Sequence, residues 1–285
     1  MESQKKIVPT FSFELFPPQT AKGIERLRQI RQQLAQLGPK YFSVTFGAGG
    51  STRERTMETV LEMQVEGHVV APHISCIGST RENISAILEK YQDAGIRQVV
   101  ALRGDLPSGM AQAGEFRYAS ELVAFIRQEF GQAFHIEVAA YPEYHPQAQS
   151  ARTDFNNFVR KVEAGADAAI TQYFYNADAY FHFVDLCETA GLEIPIVPGV
   201  MPINKFSQLV RFSDTCGAEV PRWIRKKLES YGDDSASIHA FGLDVVTALC
   251  ERLLSAGAPG LHFYTLNSAG LTSTIWQRLG IKPYK

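Results

Sequence analysis

Short apolar runs alternate with longer segments of helical periodicity from one end of the chain to the other. Each run is rich in β-branched and aromatic residues and is followed by polar or turn-forming residues, which is typical of a strand buried on both faces. The pattern predicts eight strands, at residues 11–16, 41–46, 69–75, 98–102, 135–140, 168–174, 195–200 and 261–265.

The segments between these runs carry apolar residues every three or four positions, which is the spacing of one helical face. Residues 24–37 show this spacing most clearly. Ser79 followed by Glu82 predicts the start of another helix through a capping box. Three glycines lie where helices should stop, because glycine favours the left-handed conformation of a helix end: Gly38, Gly95 and Gly165.

Strands that alternate with helices pair in parallel through right-handed crossovers. Eight such units predict an α/β fold, a single (βα)8 TIM barrel that occupies residues 1–285 as one domain. An open, doubly wound sheet is the main alternative, but its GxGxxG fingerprint is absent after the first strand. The long interval between residues 200 and 261 must hold extra helical structure, with residues 213–237 as loop and short helix.

Composition narrows the class of protein without defining it. The chain has 285 residues, 45% of them hydrophobic, and a net charge of −2, so it has no overall attraction to nucleic acid or to an anionic membrane. No apolar stretch is long enough to cross a membrane. The four cysteines form no CxxC pair, which argues against zinc and disulfides and favours a cytoplasmic protein without a metal site.

Polar residues gather where the predicted strands end, and catalytic groups of such barrels lie at that face. This agreement between strands is the strongest evidence from the residues alone that the protein is an enzyme. The strand-end residues are Glu14, Thr45, His73, Ser75, Arg103, Asp105, Tyr141, Glu143, His145, Gln172 and 264–267.

Glu14 is the most informative of these residues, because it follows Phe11 and Phe13 in a strand of the predicted core. Carboxylates are rarely buried without a purpose. Partial burial would keep a proton on this carboxyl near neutral pH, which a general acid requires. The structural alternative is a carboxylate at the rim of the barrel paired with a lysine or an arginine.

Other residues suggest a bound anionic or aromatic ligand. Arg103 could hold a phosphate, Gly104 allows close approach of the backbone, and Asp105 could stabilise a cation, although a plain Arg–Asp pair is the alternative. Tyr141 and His145 could stack on or hydrogen-bond to a ligand. One predicted helix places three polar residues on one face, which by itself predicts a solvated surface: Asp154, Asn157 and Lys161.

Together these residues resemble a known family. The motifs FSFELFPP, SVTFGAGGSTRERT, APHISC, VALRGDLP, VAAYPEYHP, KVEAGADAAITQYFY, PGVMPINKF and LHFYTLN occur in the order and spacing of the 5,10-methylenetetrahydrofolate reductases. The resemblance covers residues 9–283, and the length of the chain is similar to the compact bacterial members, which lack the regulatory domain of eukaryotic ones.

This resemblance implies a barrel that binds FAD and works by a ping-pong cycle. NADH or NADPH would reduce the flavin, and methylenetetrahydrofolate would then be reduced to 5-methyltetrahydrofolate for methionine synthesis. Glu14 matches the family's general acid, and Asp105 matches the acidic residue between flavin and pterin, which would favour the developing cation. Gln172 matches a contact to the pterin, and Gln208 and Phe212 match substrate and nicotinamide contacts.

The resemblance also implies a set of FAD contacts and one departure. The FAD contacts map onto Thr45, His73, Arg103, Gly104, Asp105, Tyr118, Ala119, Tyr141, His145, Pro146, Gln147, Ala148, Asp154, Asn157 and Lys161. After FYTLN the family usually has an arginine that helps to bind folate, whereas this chain has Ser268. That difference puts the contact with the glutamate tail of folate in doubt.

Two other classes of function compete with the reductase. A barrel that binds folate or a partner without turnover is one, and the presence of the acid, the acidic flavin-side residue and the pterin glutamine argues against it. A flavin-free lyase or aldolase is the other, but Lys161 falls on a helix rather than at a strand end. The resemblance also suggests a homo-oligomer, and NADH is the expected donor from the compact form.

Overall fold

The computed structural model describes residues 1–46, 50–104 and 114–284, with only the backbone described at residues 50–52. Nine strand segments, all paired in parallel, form one sheet in the order β7-β6-β5-β4-β3-β2-β1-β9-β8. Their bounds are β1 Thr10–Leu15, β2 Tyr41–Val44, β3 Val70–Ser75, β4 Gln98–Leu102, β5 His135–Ala140, β6 Ala168–Thr171, β7 Ile196–Val197, β8 Gly199–Val200 and β9 Gly260–Tyr264.

The seventh predicted strand is split into β7 and β8 by Pro198. Proline has no N–H to donate to a neighbouring strand, while its carbonyl accepts a bond of 3.0 Å from the His262 amide. The short piece before Pro198 pairs with β6 and the piece after it pairs with β9. The sheet therefore closes through one continuous stretch of chain, which confirms the predicted (βα)8 barrel.

Helices follow the strands as predicted, and the long final interval holds three of them. Their bounds are α1 Glu2–Lys5, α2 Ala21–Ala35, α3 Gly50–Val65, α4 Arg81–Asp93, α5 Ala119–Phe130, α6 Ala151–Glu163, α7 Ala177–Thr189, α8 Phe206–Cys216, α9 Arg222–Tyr231, α10 Ser235–Ser255 and α11 Gly270–Arg278. The short helix predicted within residues 213–237 is α9, and the loops around it are shorter than predicted.

The start of α4 differs from the prediction by one residue. Thr80, not Ser79, caps this helix, because its hydroxyl accepts from the Asn83 amide at 3.3 Å. The Ser79 hydroxyl instead accepts a hydrogen bond of 2.9 Å from Arg53. The predicted stops are confirmed, since Gly38, Gly95 and Gly165 all have positive φ angles beyond the ends of their helices.

The main core lies between the barrel and its helices. Adjacent residues of a strand point to opposite faces, so Phe13 packs outward against Trp276 of α11 with ring centroids 5.1 Å apart. Ser12 and Glu14 consequently point to the interior of the barrel. This alternation gives the barrel an apolar outer face and, along β1, a polar inner face.

At the base of the barrel, α1 brings Gln4 under the start of β7. The Gln4 side chain donates to the Ile194 carbonyl at 3.1 Å and accepts from the Ile196 amide at 2.8 Å. Only 1% of Gln4 is exposed. These bonds satisfy buried backbone groups that would otherwise lose their partners.

Within the described ranges, we find no helix with the length and hydropathy needed to traverse a lipid bilayer.

Candidate active site

Glu14 lies at the mouth of the barrel, one residue before the end of β1. The sheet register places it between Ser43 of β2 and Tyr264 of β9. Its backbone carbonyl accepts a bond of 2.6 Å from the Thr265 hydroxyl, and its side chain is 18% exposed. The carboxyl is therefore fixed by neighbouring strands and remains accessible from the mouth.

Two imidazoles face the same oxygen of Glu14. His73 Nε2 on β3 lies 3.5 Å from Glu14 Oε2, and His262 Nε2 on β9 lies 3.7 Å from it. Within 4 Å of the Glu14 carboxyl oxygens, the described residues place these two histidines and no lysine or arginine. The alternative of a carboxylate at the rim paired with a lysine or an arginine is therefore not the arrangement in this structure.

His73 is buried, and burial lowers its pKa to about 4, against the raising effect of the Glu14 charge. Its ring is thus neutral at neutral pH. In the part of the chain that the structure describes, the buried His73 Nε2 has no hydrogen-bond partner. A buried polar atom without a partner is costly, so this nitrogen marks a position where a bound group could supply one.

Beneath Glu14, a chain of buried polar side chains crosses the interior of the barrel. Ser12 Oγ lies 2.7 Å from His262 Nδ1, and Ser43 Oγ lies 3.5 Å from His262 Nε2. On the far side, the Tyr41 phenol donates to both carboxyl oxygens of Glu137, at 2.9 and 2.7 Å. Burial raises the pKa of both Glu137 and Tyr41.

This interior chain was not among the predicted site residues, because the polar residues that pointed to a site in the sequence lie at the strand ends. A signal was available in the alternation of LHFYT, which puts His262 on the same face of its strand as Tyr264. The partners could not be paired from sequence, since Tyr41 and Glu137 lie on strands separated by two others in the sheet.

Inside the mouth, the Tyr264 side chain lies against Gly199 of β8. Its hydroxyl donates to the Thr171 carbonyl at 2.8 Å, and burial raises its pKa. A Cβ at Gly199 would lie 2.1 Å from the Thr171 carbonyl oxygen and 2.5 Å from the Tyr264 ring. The split strand therefore requires glycine at this position for the barrel to close.

After β4, the chain turns sharply at Gly104, whose φ is +80°. A Cβ there would lie 1.7 Å from Ser75 Oγ, so this glycine is required by packing against β3. Arg103 donates to the Gln147 side chain, which joins two parts of the predicted FAD site. Asp105, the predicted acidic residue beside the flavin, lies outside the described residues.

The loop after β5 is held by short-range contacts among predicted FAD residues. The Tyr141 and His145 rings meet edge to face with centroids 4.7 Å apart. The His145 amide donates to Asp154 at 2.9 Å, and its Nδ1 accepts from the Gln147 amide at 3.0 Å. The structure thus brings the loop and the start of α6 together; Pro146 and Ala148 lie in the same loop.

Lys161 of α6 points back toward the barrel. Its ammonium donates to the Ala139 carbonyl at 2.5 Å and lies 5.5 Å from the centre of the Phe158 ring. Burial lowers the pKa of Lys161 to about 8. The predicted polar stripe is therefore not uniformly solvated: Asn157 is partly buried and accepts from Arg160 at 3.4 Å.

Three other predicted FAD contacts lie at the ends of neighbouring elements. Thr45 follows β2, and its amide donates to the Leu15 carbonyl at 2.9 Å. Tyr118 precedes α5 with 48% of its surface exposed, and Ala119 begins that helix. They contribute an exposed ring and backbone groups at the same face of the barrel.

A cleft opens beside Gln172, between the loop after β5 and the end of α8. About 180 Å³ of space, open solvent included, lies between its walls. Gln208 and Phe212 lie one turn apart on α8, both partly buried. The lining residues are Tyr141, Pro142, Glu143, Tyr144, Gln172, Tyr173, Cys216, Gly217 and Ala218.

The turn after β9 fixes the opposite side of the mouth. Leu266 and Asn267 both have a φ of +51°. The Asn267 side chain accepts from the Phe16 amide at 3.0 Å and donates to the Phe16 carbonyl at 2.8 Å. This side chain therefore joins the loop after β1 to the turn that carries Ser268.

The described residues contain no group of three or more histidine, cysteine, aspartate or glutamate side chains arranged to hold a metal ion.

The geometry is that of a parallel (βα)8 barrel with an acid at the carboxyl ends of its strands. Residues 1–280 match the methylenetetrahydrofolate reductase family. The chain is 38% identical to 5,10-methylenetetrahydrofolate reductase of Escherichia coli and to that of Salmonella typhimurium, over 95% of this chain and 91% of each relative. The chain belongs to the methylenetetrahydrofolate reductase family, whose members are oxidoreductases of one-carbon metabolism.

Two further similarities define the relationship. The chain is 37% identical to methylenetetrahydrofolate reductase (NADH) 1 of Arabidopsis thaliana over 95% of its own length, and it spans 48% of that relative. A protein from Clostridium thermocellum that binds 5-methyl-5,6,7,8-tetrahydrofolic acid matches the fold with a TM-score of 0.63 and 14% identity, covering 96% of this chain and 95% of that one.

Proposed function

We propose that this protein reduces 5,10-methylenetetrahydrofolate to 5-methyltetrahydrofolate with NADH or NADPH, through bound FAD and in a ping-pong cycle. The observation that carries the proposal is the Glu14 carboxyl at the barrel mouth, next to the unpartnered nitrogen of His73. The NADH in the name of the plant relative and the methyltetrahydrofolate bound by the Clostridium protein support it.

The described residues fit an FAD. His73 Nε2 is a buried nitrogen that a polar atom of the flavin would satisfy. Arg103 and Lys161 provide cations for the pyrophosphate, and the exposed ring of Tyr118 offers a surface for stacking. When bound, FAD supplies the hydride transfer between the nicotinamide and the folate.

The remaining FAD contacts belong to the same proposal as residues that orient the cofactor. They are Thr45, Gly104, Ala119, Tyr141, His145, Pro146, Gln147, Ala148, Asp154 and Asn157.

Glu14 is the proposed general acid. Its carboxyl would protonate the bridging amine of methylenetetrahydrofolate, so that the five-membered ring opens to an electrophilic iminium. The strands on either side fix the carboxyl, and its side chain remains 18% exposed at the mouth, within reach of a bound substrate. Asp105 is the proposed group that favours the developing positive charge.

The pterin is proposed to bind at the barrel mouth in reach of Gln172. Gln172 would hydrogen-bond to the pterin, and Gln208 and Phe212 on α8 would contact the substrate or the nicotinamide. Ser268 cannot provide the charge of the arginine that the family usually has there. We therefore expect the glutamate tail of folate to be held less strongly on this side of the mouth.

The test is to measure the two half-reactions separately under anaerobic conditions, for wild type and for Glu14→Gln. We expect flavin reduction by the nicotinamide to survive in the variant, because that step does not use the acid. Folate reduction should fall by about 10²–10⁴-fold, the usual contribution of a general acid.

Glu129→Gln is the matched control, since Glu129 is exposed on α5. It should change neither half-reaction. Unchanged folate reduction in Glu14→Gln would contradict the assignment of the acid. A colourless protein that FAD cannot reconstitute would contradict the flavin proposal itself.

A further inference from the structure

Of the described aromatic side chains, Trp223 on α9 is the most exposed, at 59%. Its ring packs edge to face on Phe241 of α10 with centroids 6.0 Å apart, and Phe241 packs in turn on Tyr231 at 6.0 Å. The indole is therefore supported on one side without being covered on the other. Exposed tryptophans of this kind are common anchors of protein interfaces, so the ring indicates a contact surface.

The outward face of α9 carries positive charges at its start and negative charges at its end. A helix turns about 100° per residue, which places a row of exposed charged residues on the face opposite the buried Ile224 and Leu228. The row runs in the order positive, positive, negative, negative, with its last member in the turn beyond the helix: Arg222, Lys226, Glu229 and Asp233. Lys226 Nζ and Glu229 Oε2 are 2.8 Å apart, so the two signs meet in the middle of the row.

A row of this kind is complementary to a second copy of itself. When two identical helices pack antiparallel around a two-fold axis, residues equally distant from the axis lie opposite each other. With the axis between Lys227 and Leu228, Arg222 faces Asp233 of the second copy, and Lys226 faces Glu229 of the second copy. A parallel arrangement would place like charges together, so the charges favour the antiparallel one.

The same arrangement leaves room for the indole. Counted from the same axis, the residue opposite Trp223 is Gly232 of the second copy. Gly232 is exposed, and nothing lies within 4 Å of the position that a Cβ would take there. The Trp223 ring can therefore lie over this glycine, and the symmetry makes the contact twice.

We propose that the outward face of α9 is a self-association surface, on which two copies of this chain pack antiparallel with each Trp223 over Gly232 of the other. The ring supplies the apolar contact, since an indole can bury roughly 200 Å². The row of charges fixes the orientation. This inference does not depend on the proposed function.

The size of the face sets the strength that we expect. The helix has ten residues and is about 15 Å long. It cannot alone supply the roughly 800 Å² per partner of a standard interface. We therefore expect a reversible dimer with a dissociation constant in the micromolar range, which dilution separates.

The first experiment follows assembly and the environment of Trp223 together. The chain has two tryptophans, and Trp276 is only 2% exposed, so quenching of the fluorescence by acrylamide reports on Trp223. Between about 1 and 100 µM protein, sedimentation should show a shift from monomer to dimer, and the quenching should fall over the same range. A monomer at every concentration would overturn the proposal, and so would an assembly that leaves the quenching unchanged.

The second experiment tests the pairing by exchanging charges. Lys226→Glu or Glu229→Lys places like charges opposite each other across the axis and should raise the dissociation constant about tenfold. The double variant Lys226→Glu/Glu229→Lys has opposite charges at each position again and should recover the wild-type value. Trp223→Ala should raise the dissociation constant by at least about tenfold, because both anchors are lost.

Lys90→Glu on α4 is the matched control, since it makes the same charge change at another exposed lysine. It should assemble as wild type does. Single reversals without effect, or a double variant that stays as dissociated as the single ones, would contradict the antiparallel pairing. An equal effect of Lys90→Glu would show that net charge controls assembly and would also overturn the proposal.

Discussion

At the base of the barrel, Gln4 satisfies two buried backbone groups with one amide. At the mouth, His73 is buried to a similar degree and its Nε2 has no partner among the described residues. One end of the same barrel is thus completed by its own side chains, whereas the other has a polar atom that its described neighbours do not satisfy. This division is expected where stability and function occupy opposite faces of a (βα)8 barrel.

The largest expected effect concerns the mouth. Burial lowers the pKa of His73 from 6.5 to about 4. As the pH falls, His73 therefore binds a proton at a higher pH in the unfolded chain than in the folded protein. The free energy of unfolding should be highest above pH 6.5 and should fall by about 3 kcal/mol as the pH drops to 4.

Denaturant titrations of the flavin-free protein across this range would measure the loss. The amide of His73→Gln does not titrate, so this variant should lose most of the pH dependence of its stability. Its affinity for FAD should also be lower. An equally steep dependence in the variant would show that other groups cause it.

The next effect concerns the base. Gln4→Ala would leave the Ile194 carbonyl and the Ile196 amide without their partner. We expect the free energy of unfolding to fall by about 2 kcal/mol, with no change in FAD affinity. Urea unfolding and a flavin-binding titration would measure both quantities. A variant that loses FAD affinity at unchanged stability would contradict the assignment of stability to the base and of binding to the mouth.

The smallest expected effect concerns Lys161 and the affinity for FAD. Burial lowers the pKa of Lys161 to about 8, so its charge disappears as the pH rises through that value. If the ammonium binds the FAD pyrophosphate, FAD affinity should fall about tenfold between pH 7 and pH 9. Lys161→Arg keeps its charge in this range, and its affinity for FAD should stay constant; fluorescence titration would distinguish the two.

The repeating parts of the fold were predictable from sequence, because hydrophobic periodicity reflects which face of each element is buried. Glu14 was predictable for the same reason, as a charge inside an apolar strand. Pro198 was visible in the sequence, yet the division of its strand depends on two neighbours with different registers.

The interior of the barrel was not predictable in the same way. Tyr41 and Glu137 are ordinary residues of two separate strands until closure of the barrel brings them into contact. Such pairings are set by the closed register of the barrel and not by any local pattern.

The turn at Asn267 has a consequence for the chemical ageing of the protein. Asparagine followed by serine is prone to deamidation, in which the next backbone nitrogen attacks the side-chain amide. Here the Ser268 nitrogen is held by the Thr265 carbonyl at 3.0 Å, and the amide is held by Phe16. Folding therefore protects the Asn267 side-chain amide from this attack. A deamidated Asn267 would place a carboxylate opposite the Phe16 carbonyl. Stored protein should accumulate deamidated Asn267 only when the contacts of this turn with Phe16 and Thr265 are broken.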